Sequence, residues 1–404
     1  MAEGTGPLTG VRVLDVTHIL AGPFATQMMA DAGANVIKLE PPGGEYSRIR
    51  GPQRPGPNGV TLSSYSAAVN RGKRSIELNL KHPKALELAL RLIAISDVLI
   101  ENFAPGTVTR MGLDFTELRE RFPRLITCSI SLWGGFQTAG DMARRGGLAI
   151  VAEAESTIMG TNRDKEGVPV ALGTPIGDMA SGMAAYGAVM TALWERERTG
   201  RGQHLEISMV RTLLALNSIA VTGKQIPSTR EYLTAPVGYG VFPTKDGFIV
   251  LGVNSDRLWQ RLCEVMDRPE LATDPRFATY AERDTRTEEG NTIVREWTMR
   301  HTSSEVVEKV GPTGMPCGRI SNPEDVLDPS SDVQKMGWLL TVDDGLGGTI
   351  EVPTNSYGWT QPGNRIPHVG EAGKDVLAAE LGIGDDEFEA LAADGVFGSN
   401  KVPA

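Results

Sequence analysis

Along the N-terminal third of the chain, short runs rich in apolar and β-branched residues alternate with longer amphipathic stretches. The runs at 11–16, 35–40 and 98–100 predict strands, and the stretches at 24–32 and 83–95 predict helices. A strand, a helix and a second strand within about 30 residues form a βαβ unit, which requires a parallel sheet with helices on its faces. The pattern therefore predicts an α/β fold with a doubly wound, mostly parallel, Rossmann-like sheet.

The pattern changes in the middle of the chain. Residues 234–251 predict a β-hairpin that turns at Asp246-Gly247, because an Asp-Gly pair between apolar residues favours a tight turn. Charged, amphipathic stretches at 258–266 and 285–300 predict helices. The C-terminal region predicts one further strand and two helices, at 349–353, 375–381 and 385–394.

These patterns divide the chain into three segments. Residues 1–215 form the N-terminal part of a large domain, residues 216–325 form a smaller α+β domain, and residues 326–404 return to the large domain. Residues 323–334 are interpreted as the linker that begins this return. A length of 404 residues is sufficient for two domains of this kind, each with its own hydrophobic core.

A long apolar run follows Asp178 and ends at Gly200. A Pro/Gly-rich loop precedes it, so the segment predicts a helix with Asp178 as its N-cap and a glycine turn at its C-terminus. A glycine inside a helix costs roughly 1 kcal/mol relative to alanine, so we expect another helix or a ligand to approach this one closely. The residues with little or no side-chain bulk are Ser181, Gly182, Ala184, Ala185, Gly187 and Ala188.

Two interpretations of Asp178 follow from its position. Its carboxylate could cap the helix and do nothing more, since capping stabilises a helix by about 1 kcal/mol. Alternatively, the positive end of the helix keeps the carboxylate ionised, and an ionised carboxylate can act as a nucleophile. The local sequence leaves both interpretations open.

Composition narrows the classes of partner. The chain is 40% apolar and 22% charged, with a formal net charge of -10, which argues against nucleic acid or an anionic membrane surface as a partner. The three cysteines have no metal-binding or redox spacing, and no apolar run approaches the ~20 residues needed to cross a bilayer. Residues 1–7 lack the pattern of a secretory signal. We therefore expect a cytoplasmic protein without a metal site.

The ends of the predicted strands indicate where a ligand binds. In open α/β sheets, ligands bind at the carboxyl ends of the strands, so the loops that follow them should form one rim. The first strand–helix turn lacks G-x-G-x-x-G, which argues against a dinucleotide. The basic residues around the strand near residue 75 are interpreted as a solvated sheet edge: Arg71, Lys73, Arg74 and Lys81. The loops expected at the rim follow Ile19, Glu40, Leu80, Ile100 and Ile130.

Five short motifs in one order resemble the class III CoA-transferases, a family that includes formyl-CoA:oxalate and carnitine CoA-transferases. The small-residue helix after Asp178 and Gly-Arg-Gly-Gln at 200–203 match the same family. The resemblance covers nearly the whole chain and is loosest in the second domain. The motifs are Ala-Gly-Pro at 21–23, Val-Ile-Lys-x-Glu at 36–40, Asn-x-x-Lys-Arg-Ser-Ile at 70–76, Glu-Asn-Phe-x-Pro-Gly at 101–106 and Arg-Met-Gly at 110–112.

The resemblance implies a CoA-transferase that moves CoA from an acyl-CoA donor to a carboxylic acid acceptor. Asp178 corresponds to the family's catalytic nucleophile, the CoA thioester is a substrate, and no tightly bound cofactor is implied. Lys81 and Arg110 would meet CoA phosphates, and backbone groups of 102–104 would hold adenine or pantetheine. The family's interlocked homodimer is also expected here. The positions that correspond to CoA contacts are Ala21, Leu78, Lys81, Asn102, Phe103, Ala104 and Arg110.

The chain also departs from the family pattern. Leu20 stands where relatives that act on formyl-CoA and oxalate have Gln, Pro41 stands where they have Arg, and their run of consecutive glycines is missing. These differences argue against oxalate as the acceptor. The remaining candidates are loop amides that could stabilise an oxyanion and side chains that could line an acyl pocket. The candidate oxyanion amides are those of Gly134-Gly135 and Gly238-Tyr239-Gly240. The candidate acyl-pocket side chains are Trp133 and Met159.

Two other functions compete with that of a transferase. A 2-methylacyl-CoA racemase resembles the same family and needs a general acid/base pair, which in such racemases includes a histidine in the segment that corresponds to 143–154. This segment contains no histidine here. A non-catalytic CoA-binding subunit is the second alternative, and the retained Asp178 argues against it. The histidines are expected to be structural or exposed: His18, His82, His204, His301 and His368.

Overall fold

The structure, a computed structural model, describes residues 6–57, 60–164, 166–227, 236–358 and 363–398, without the side chain of Phe136. The chain divides into two compact units. The large unit comprises Met1–Val221 and Gly337–Ala404, and the small unit comprises Thr222–Met336. The divisions thus fall at 222 and 337, whereas the domain boundaries expected from the sequence are 216 and 326.

The N-terminal part of the large unit alternates strands and helices. Its strands are β1 (Arg12–Asp15), β2 (Asn35–Glu40), β3 (Gln53–Pro55), β4 (Thr61–Ser63), β5 (Arg74–Glu77), β6 (Val98–Glu101), β7 (Ile126–Ser131) and β8 (His204–Ser208). Its helices are α1 (Ala21–Asp31), α2 (Ser64–Val69), α3 (Pro83–Ala94), α4 (Thr107–Arg110), α5 (Phe115–Arg121), α6 (Phe136–Ala139), α7 (Ala149–Glu155), α8 (Ile158–Thr161), α9 (Ile176–Thr199), α10 (Met209–Leu216) and α11 (Ser218–Gly223).

The small unit contains a three-stranded antiparallel sheet in the order β11-β10-β9. The predicted hairpin is confirmed, with the Thr244 N–H donating to the Gly247 carbonyl at 2.9 Å across the turn. Residues 234–235 of that prediction lie outside the described residues. Its strands and helices are β9 (Tyr239–Pro243), β10 (Phe248–Gly252), α12 (Asp256–Val265), α13 (Tyr280–Asp284), α14 (Thr287–Thr298), α15 (Ser303–Val310), β11 (Cys317–Arg319), α16 (Pro323–Leu327) and α17 (Asp332–Lys335).

The interpretation of 323–334 as a plain linker is wrong, because α16 and α17 lie in this segment and belong to the small unit. A proline at the first helical position and a capping box start α16, and the Ser331 side chain caps α17, signals that the shortness of the two helices makes easy to miss. The chain then returns to the large unit, where the predicted strand and helices are observed. They are preceded by one further strand, so that the series is β12 (Leu339–Asp343), β13 (Thr349–Pro353), α18 (Gly373–Leu381) and α19 (Asp385–Ala393).

A six-stranded sheet forms the centre of the large unit, in the order β5-β2-β1-β6-β7-β8. Every neighbouring pair in this sheet is parallel, and Leu14 of β1 lies opposite Ile37 on one side and Leu99 on the other. The predicted parallel α/β sheet is therefore confirmed. The chain order reverses where β1 meets β6, so the loops that leave these strands diverge and open a crevice at their carboxyl ends.

Alternate residues of the strands fill hydrophobic cores on the two faces of this sheet. Val13 and Ile100 pack with residues of α1 and α9 on one face. Leu14 and Leu99 pack with residues of α3 and α18 on the other. Helices thus cover both faces, as a doubly wound sheet requires. Among the described residues, none of the helices combines the length and apolar character needed to cross a bilayer.

Arg71 and Lys73 are buried, Arg74 is half-buried and only Lys81 is exposed, so the interpretation of the segment around β5 as a solvated edge is wrong for its first three basic residues. Arg71 and Lys73 are almost fully buried, and Lys73 Nζ lies 2.9 Å from the Asp15 carboxylate. β5 is an edge strand, but α18 covers it and Glu380 of that helix lies 2.8 Å from Arg74. A run of basic residues does not reveal partners that lie far away in the sequence, which is why the pattern misled.

Candidate active site

A cavity of about 610 Å³ opens at the carboxyl ends of β1, β6 and β7, and its size is typical of a small-molecule site. The loops after these three strands share its rim, as predicted, and the excursion after β2 also contributes. The loop after Leu80, which was expected at the rim, does not line it. The lining consists of 18–20, 102–105, 130–133, 143–150 and 171–175 with Tyr46, Arg50, Gly51, Tyr65, Glu153, Asp178 and Met209.

Asp178 lies in the first turn of α9 and lines the cavity. The prediction that it caps the helix is wrong, because α9 begins at Ile176 and its N-cap is Pro175, which makes no side-chain capping bond. The helix starts earlier because its Gly177 N–H donates to the Glu153 carboxylate at 3.1 Å, so a distant residue satisfies a free amide of the first turn. At the other end, Gly200 caps the helix with a φ of 74°, as predicted.

Glu153 of α7 sets the electrostatics around Asp178. Its side chain is 3% exposed and lines the same cavity. Burial, and then the negative charge of Glu153, raise the pKa of Asp178 to about 6. Asp178 is therefore mostly ionised at neutral pH and is a stronger base than an exposed aspartate. Sequence reasoning missed Glu153, although a single glutamate within the otherwise apolar run 148–154 was the available signal.

The small residues of α9 admit another helix. A Cβ at Gly182 would lie 2.6 Å from the carbonyl oxygen of Ala21, so α1 can pack at this distance only against a glycine. Ala21 and Ala185 are fully buried in the same core. Either another helix or a ligand was expected to approach α9 closely, and at Gly182 the neighbour is a helix, α1. That contact ties the start of α1 to the helix that carries Asp178.

The loop between β1 and α1 is held in a strained conformation beside the cavity. Ile19 has a φ of 65°, which is rare for a β-branched residue, and its N–H donates to the Glu45 carboxylate at 2.9 Å. The Asn102 side chain accepts from the His18 N–H and donates to the His18 carbonyl, both at 2.8 Å. These contacts fix the backbone of 18–20 at the rim. The sequence carries no local signal for them, since all the partners are distant.

The predicted CoA contacts are only partly brought together. Asn102, Phe103 and Ala104 line the cavity, and because His18 engages the Asn102 amide, this turn offers mainly backbone groups and the Phe103 ring. Ala21 and Leu78 are buried in the cores, 0% and 1% exposed. Lys81 and Arg110 are exposed side chains outside the cavity lining. His18 lines the cavity, and burial lowers its pKa.

Most of the candidate oxyanion amides already have partners. The Gly134 N–H donates to Ser131 Oγ at 3.0 Å, and in the small unit the Gly238 N–H donates to Asn291 Oδ1 at 2.8 Å and the Tyr239 N–H to the Pro236 carbonyl. Of the acyl-pocket candidates, Trp133 lines the cavity and Met159 does not. The sequence patterns of these glycine turns could not reveal which amides are used internally.

Three arginines line the cavity: Arg50, Arg144 and Arg145. Arg145 lies 2.8 Å from Glu155 and 5.4 Å from the centre of the Trp133 ring. Arg144 lies 3.6 Å from Asp141. The cavity therefore combines a pair of carboxylates with several cations, which suits a negatively charged ligand that reacts with a carboxylate. Within the described ranges, no cluster of three or more His, Cys, Asp or Glu side chains is arranged to hold a metal ion.

Comparisons with known proteins point to one family. The model of CoA-transferase family III matches residues 8–372. The chain is 34% identical over 410 residues to an acyl-CoA transferase of Fusarium pseudograminearum, covering 98% of this chain and 89% of that protein. It is 34% identical over 353 residues to human succinyl-CoA:glutarate CoA-transferase, covering 86% and 79%. A crystal structure of a CAIB/BAIF family protein from Brucella suis has a TM-score of 0.82 at 28% identity, covering 93% and 99%.

Proposed function

The chain belongs to CoA-transferase family III and is a CoA-transferase, and we propose that it works through a covalent CoA thioester on Asp178. One observation carries this proposal. Asp178 is a half-buried carboxylate with a raised pKa, and it lies in the wall of the cavity at the carboxyl ends of β1, β6 and β7. A nucleophile must be ionised, reachable and more basic than an exposed aspartate, and Asp178 meets all three conditions at neutral pH.

Transfer then takes place in two symmetrical halves. The Asp178 carboxylate attacks the thioester carbonyl of the donor, the C–S bond breaks, and CoA leaves as a thiolate from a mixed anhydride. The thiolate attacks the Asp178 carbonyl and releases the first acid as a carboxylate, which leaves CoA bound to Asp178 as a thioester. The acceptor carboxylate reverses both steps and restores Asp178. No net proton transfer is needed, so a carboxylate alone suffices as the covalent catalyst.

CoA is proposed to enter along the loop that follows β6. Asn102–Ala104 would contact the pantetheine arm through backbone groups, while the exposed Arg110 on the adjacent α4 and Lys81 would meet phosphates outside the cavity. Ala21 and Leu78 support this site from the cores through packing. No tightly bound cofactor takes part in the proposed reaction.

The covalent step can be tested on the intact protein. Incubation with succinyl-CoA, the donor named for the human relative, should add the mass of CoA less that of one water to the chain at Asp178, and hydroxylamine should cleave this thioester. A protein that exchanged an α-proton of a 2-methylacyl-CoA for deuterium without any adduct would instead be a racemase. Binding without adduct or exchange would indicate a non-catalytic CoA-binding subunit.

Glu153→Gln should move the acid limb of adduct formation to lower pH. The change removes the charge that helps to raise the pKa of Asp178 to about 6, but it keeps an acceptor for the Gly177 N–H. Burial remains, so the pKa should fall only part of the way towards an ordinary aspartate. The rate of adduct formation measured from pH 4.5 to 8 gives the limb. Asp178 titrates through loss of a proton, so the rate should rise with pH in both proteins, earlier in the variant.

Glu195→Gln provides the control, because Glu195 lies on the same helix about 25 Å from Asp178. This distance is well beyond the Debye length at physiological ionic strength, so the charge of Glu195 should not affect Asp178. Its profile should coincide with that of the wild type. An unshifted limb in Glu153→Gln would contradict the electrostatic role of Glu153.

We further propose that the protein forms the family's interlocked homodimer in the cytoplasm, where its three unpaired cysteines stay reduced. Large apolar side chains on the surface of the large unit support an interface: Trp194 of α9 is 69% exposed, and Met183, Leu216 and Ile219 are also exposed.

Trp194→Glu should therefore weaken the dimer at micromolar concentration, measured by sedimentation velocity. A wild-type protein that sedimented as a monomer would refute the dimer.

A further inference from the structure

Arg50 is a cation of the cavity wall that the proposed transfer steps do not use. Its guanidinium carbon lies 4.2 Å from the centre of the Tyr46 ring, and both residues line the cavity. Within the part of the chain that the structure describes, no carboxylate lies at ion-pair distance from Arg50. The two other lining arginines are close to the carboxylates of Asp141 and Glu155. Arg50 thus remains available for a negatively charged ligand.

The stacking on Tyr46 leaves the binding edge of Arg50 open. A cation–π contact uses the flat face of the guanidinium, whereas its N–H donors point outward in the plane. Those donors match the two oxygens of a carboxylate in a bidentate arrangement. The ring therefore orients the guanidinium without consuming the groups that would recognise an anion.

The backbone that carries Arg50 is firmly held. Arg48, two residues earlier, is buried and donates to the Glu40 carboxylate at 3.0 and 2.5 Å. Glu45 accepts the Ser47 N–H at 2.8 Å and so starts the 3₁₀ turn Tyr46–Ile49. These buried contacts hold the turn in place, and Arg50 follows it directly. A cation held in this way can select a ligand by the position of its charge.

The charge at the reacting end of the cavity makes such a cation useful. Asp178 and Glu153 already place two carboxyl groups there. An acyl group that carries a second, distal carboxylate would add a further negative charge, which needs a cation in the same cavity. Given that the protein acts through Asp178 as proposed, we infer that Arg50 binds the distal carboxylate of the acyl group, so that the acids exchanged are dicarboxylic.

The first half-reaction tests this inference without knowledge of the natural acids. Glutaryl-CoA and pentanoyl-CoA carry five-carbon acyl chains that differ in the distal carboxylate. The rate of CoA adduct formation on the intact protein should be higher with glutaryl-CoA in the wild type. Arg50→Gln should lower the glutaryl-CoA rate at subsaturating donor by roughly 10- to 100-fold and change the pentanoyl-CoA rate by less than about 3-fold, since it removes a charge-assisted contact made only by the former. Arg50→Lys should recover part of the loss.

Arg121→Gln is the matched control, because Arg121 is also an exposed arginine stacked on a neighbouring ring, 5.1 Å from the centre of Phe122, and lies outside the cavity lining. It should leave both rates unchanged. Equal loss for both donors in Arg50→Gln would assign Arg50 to the CoA phosphates and overturn the inference, as would no loss, or a wild type that prefers pentanoyl-CoA. Failure of both donors to form any adduct would instead count against the proposed function of Asp178.

Discussion

Asp178→Ala should reduce CoA transfer by at least roughly 10³-fold while CoA binding persists. The variant lacks the oxygen that would attack the thioester, so neither the anhydride nor the Asp178 thioester can form. Loss of the carboxylate removes a favourable interaction with the helix N-terminus, but it also removes the repulsion from Glu153. The fold should therefore be retained. Steady-state kinetics measure the rate of transfer, and the mass of the intact protein shows whether a CoA adduct forms. Calorimetric titration with CoA measures binding.

Asp386→Asn controls for the loss of an acid at a helix start, since Asp386 is an exposed aspartate in the first turn of α19. It should transfer CoA at the wild-type rate. Asp178→Asn adds an isosteric variant that keeps the shape of the site and still lacks a nucleophile. Substantial transfer by either Asp178 variant, or a CoA adduct that maps to another residue, would show that Asp178 is not the covalent catalyst.

The secondary structure of the large unit was largely predictable because its signals are local. Short β-branched runs mark β1, β2 and β6, and Gly200 marks the end of α9 by its left-handed conformation. The start of α9 was not predictable to the residue. Glu153, which lies on a different helix, accepts a hydrogen bond from the Gly177 N–H in the first turn of α9. The helix therefore begins before Asp178, and Asp178 lies in its first turn instead of at the N-cap position.

The candidate site was predictable where a motif marks it and not where distant residues assemble it. Asp178 and 102–104 were found from the family resemblance, and they do meet at one cavity. The strained Ile19 backbone depends on Glu45, and the burial of Lys73 depends on Asp15, so neither has a local pattern. Exposed Lys81 and Arg110 were assigned by correspondence alone, and their role depends on where CoA leaves the cavity.

The buried charge cluster beneath the first loop supports the second large prediction. Asp15 is fully buried, accepts from Thr17 and Thr26, and lies 2.9 Å from Lys73 Nζ and 3.9 Å from Lys38 Nζ. Asp15→Asn should destabilise the large unit by about 3–5 kcal/mol at pH 7, because two lysines then remain buried without their carboxylate. The urea dependence of hydrogen exchange at the β1 amides measures this loss in the large unit itself.

The pH dependence of that loss identifies its cause. Burial alone would raise the pKa of Asp15, but Lys38 and Lys73 outweigh it and hold the pKa well below its usual range. A carboxylate with a lowered pKa in the folded state stabilises fully above its unfolded pKa of about 4, and this stability is lost as the pH falls below it. Burial lowers the pKa of Lys73 to about 8, and loss of Asp15 would lower this pKa further. Lys73 can therefore lose its proton more readily at pH 7 than at pH 5 in the variant. The stability gap between wild type and Asp15→Asn should thus be at least as large at pH 5 as at pH 7 and narrow only below about pH 4. Asp394→Asn is the control, because it removes an exposed partner of Lys84, and it should leave the stability of the large unit unchanged. A similar loss of stability in Asp15→Asn and Asp394→Asn would mean that the buried cluster has no special role.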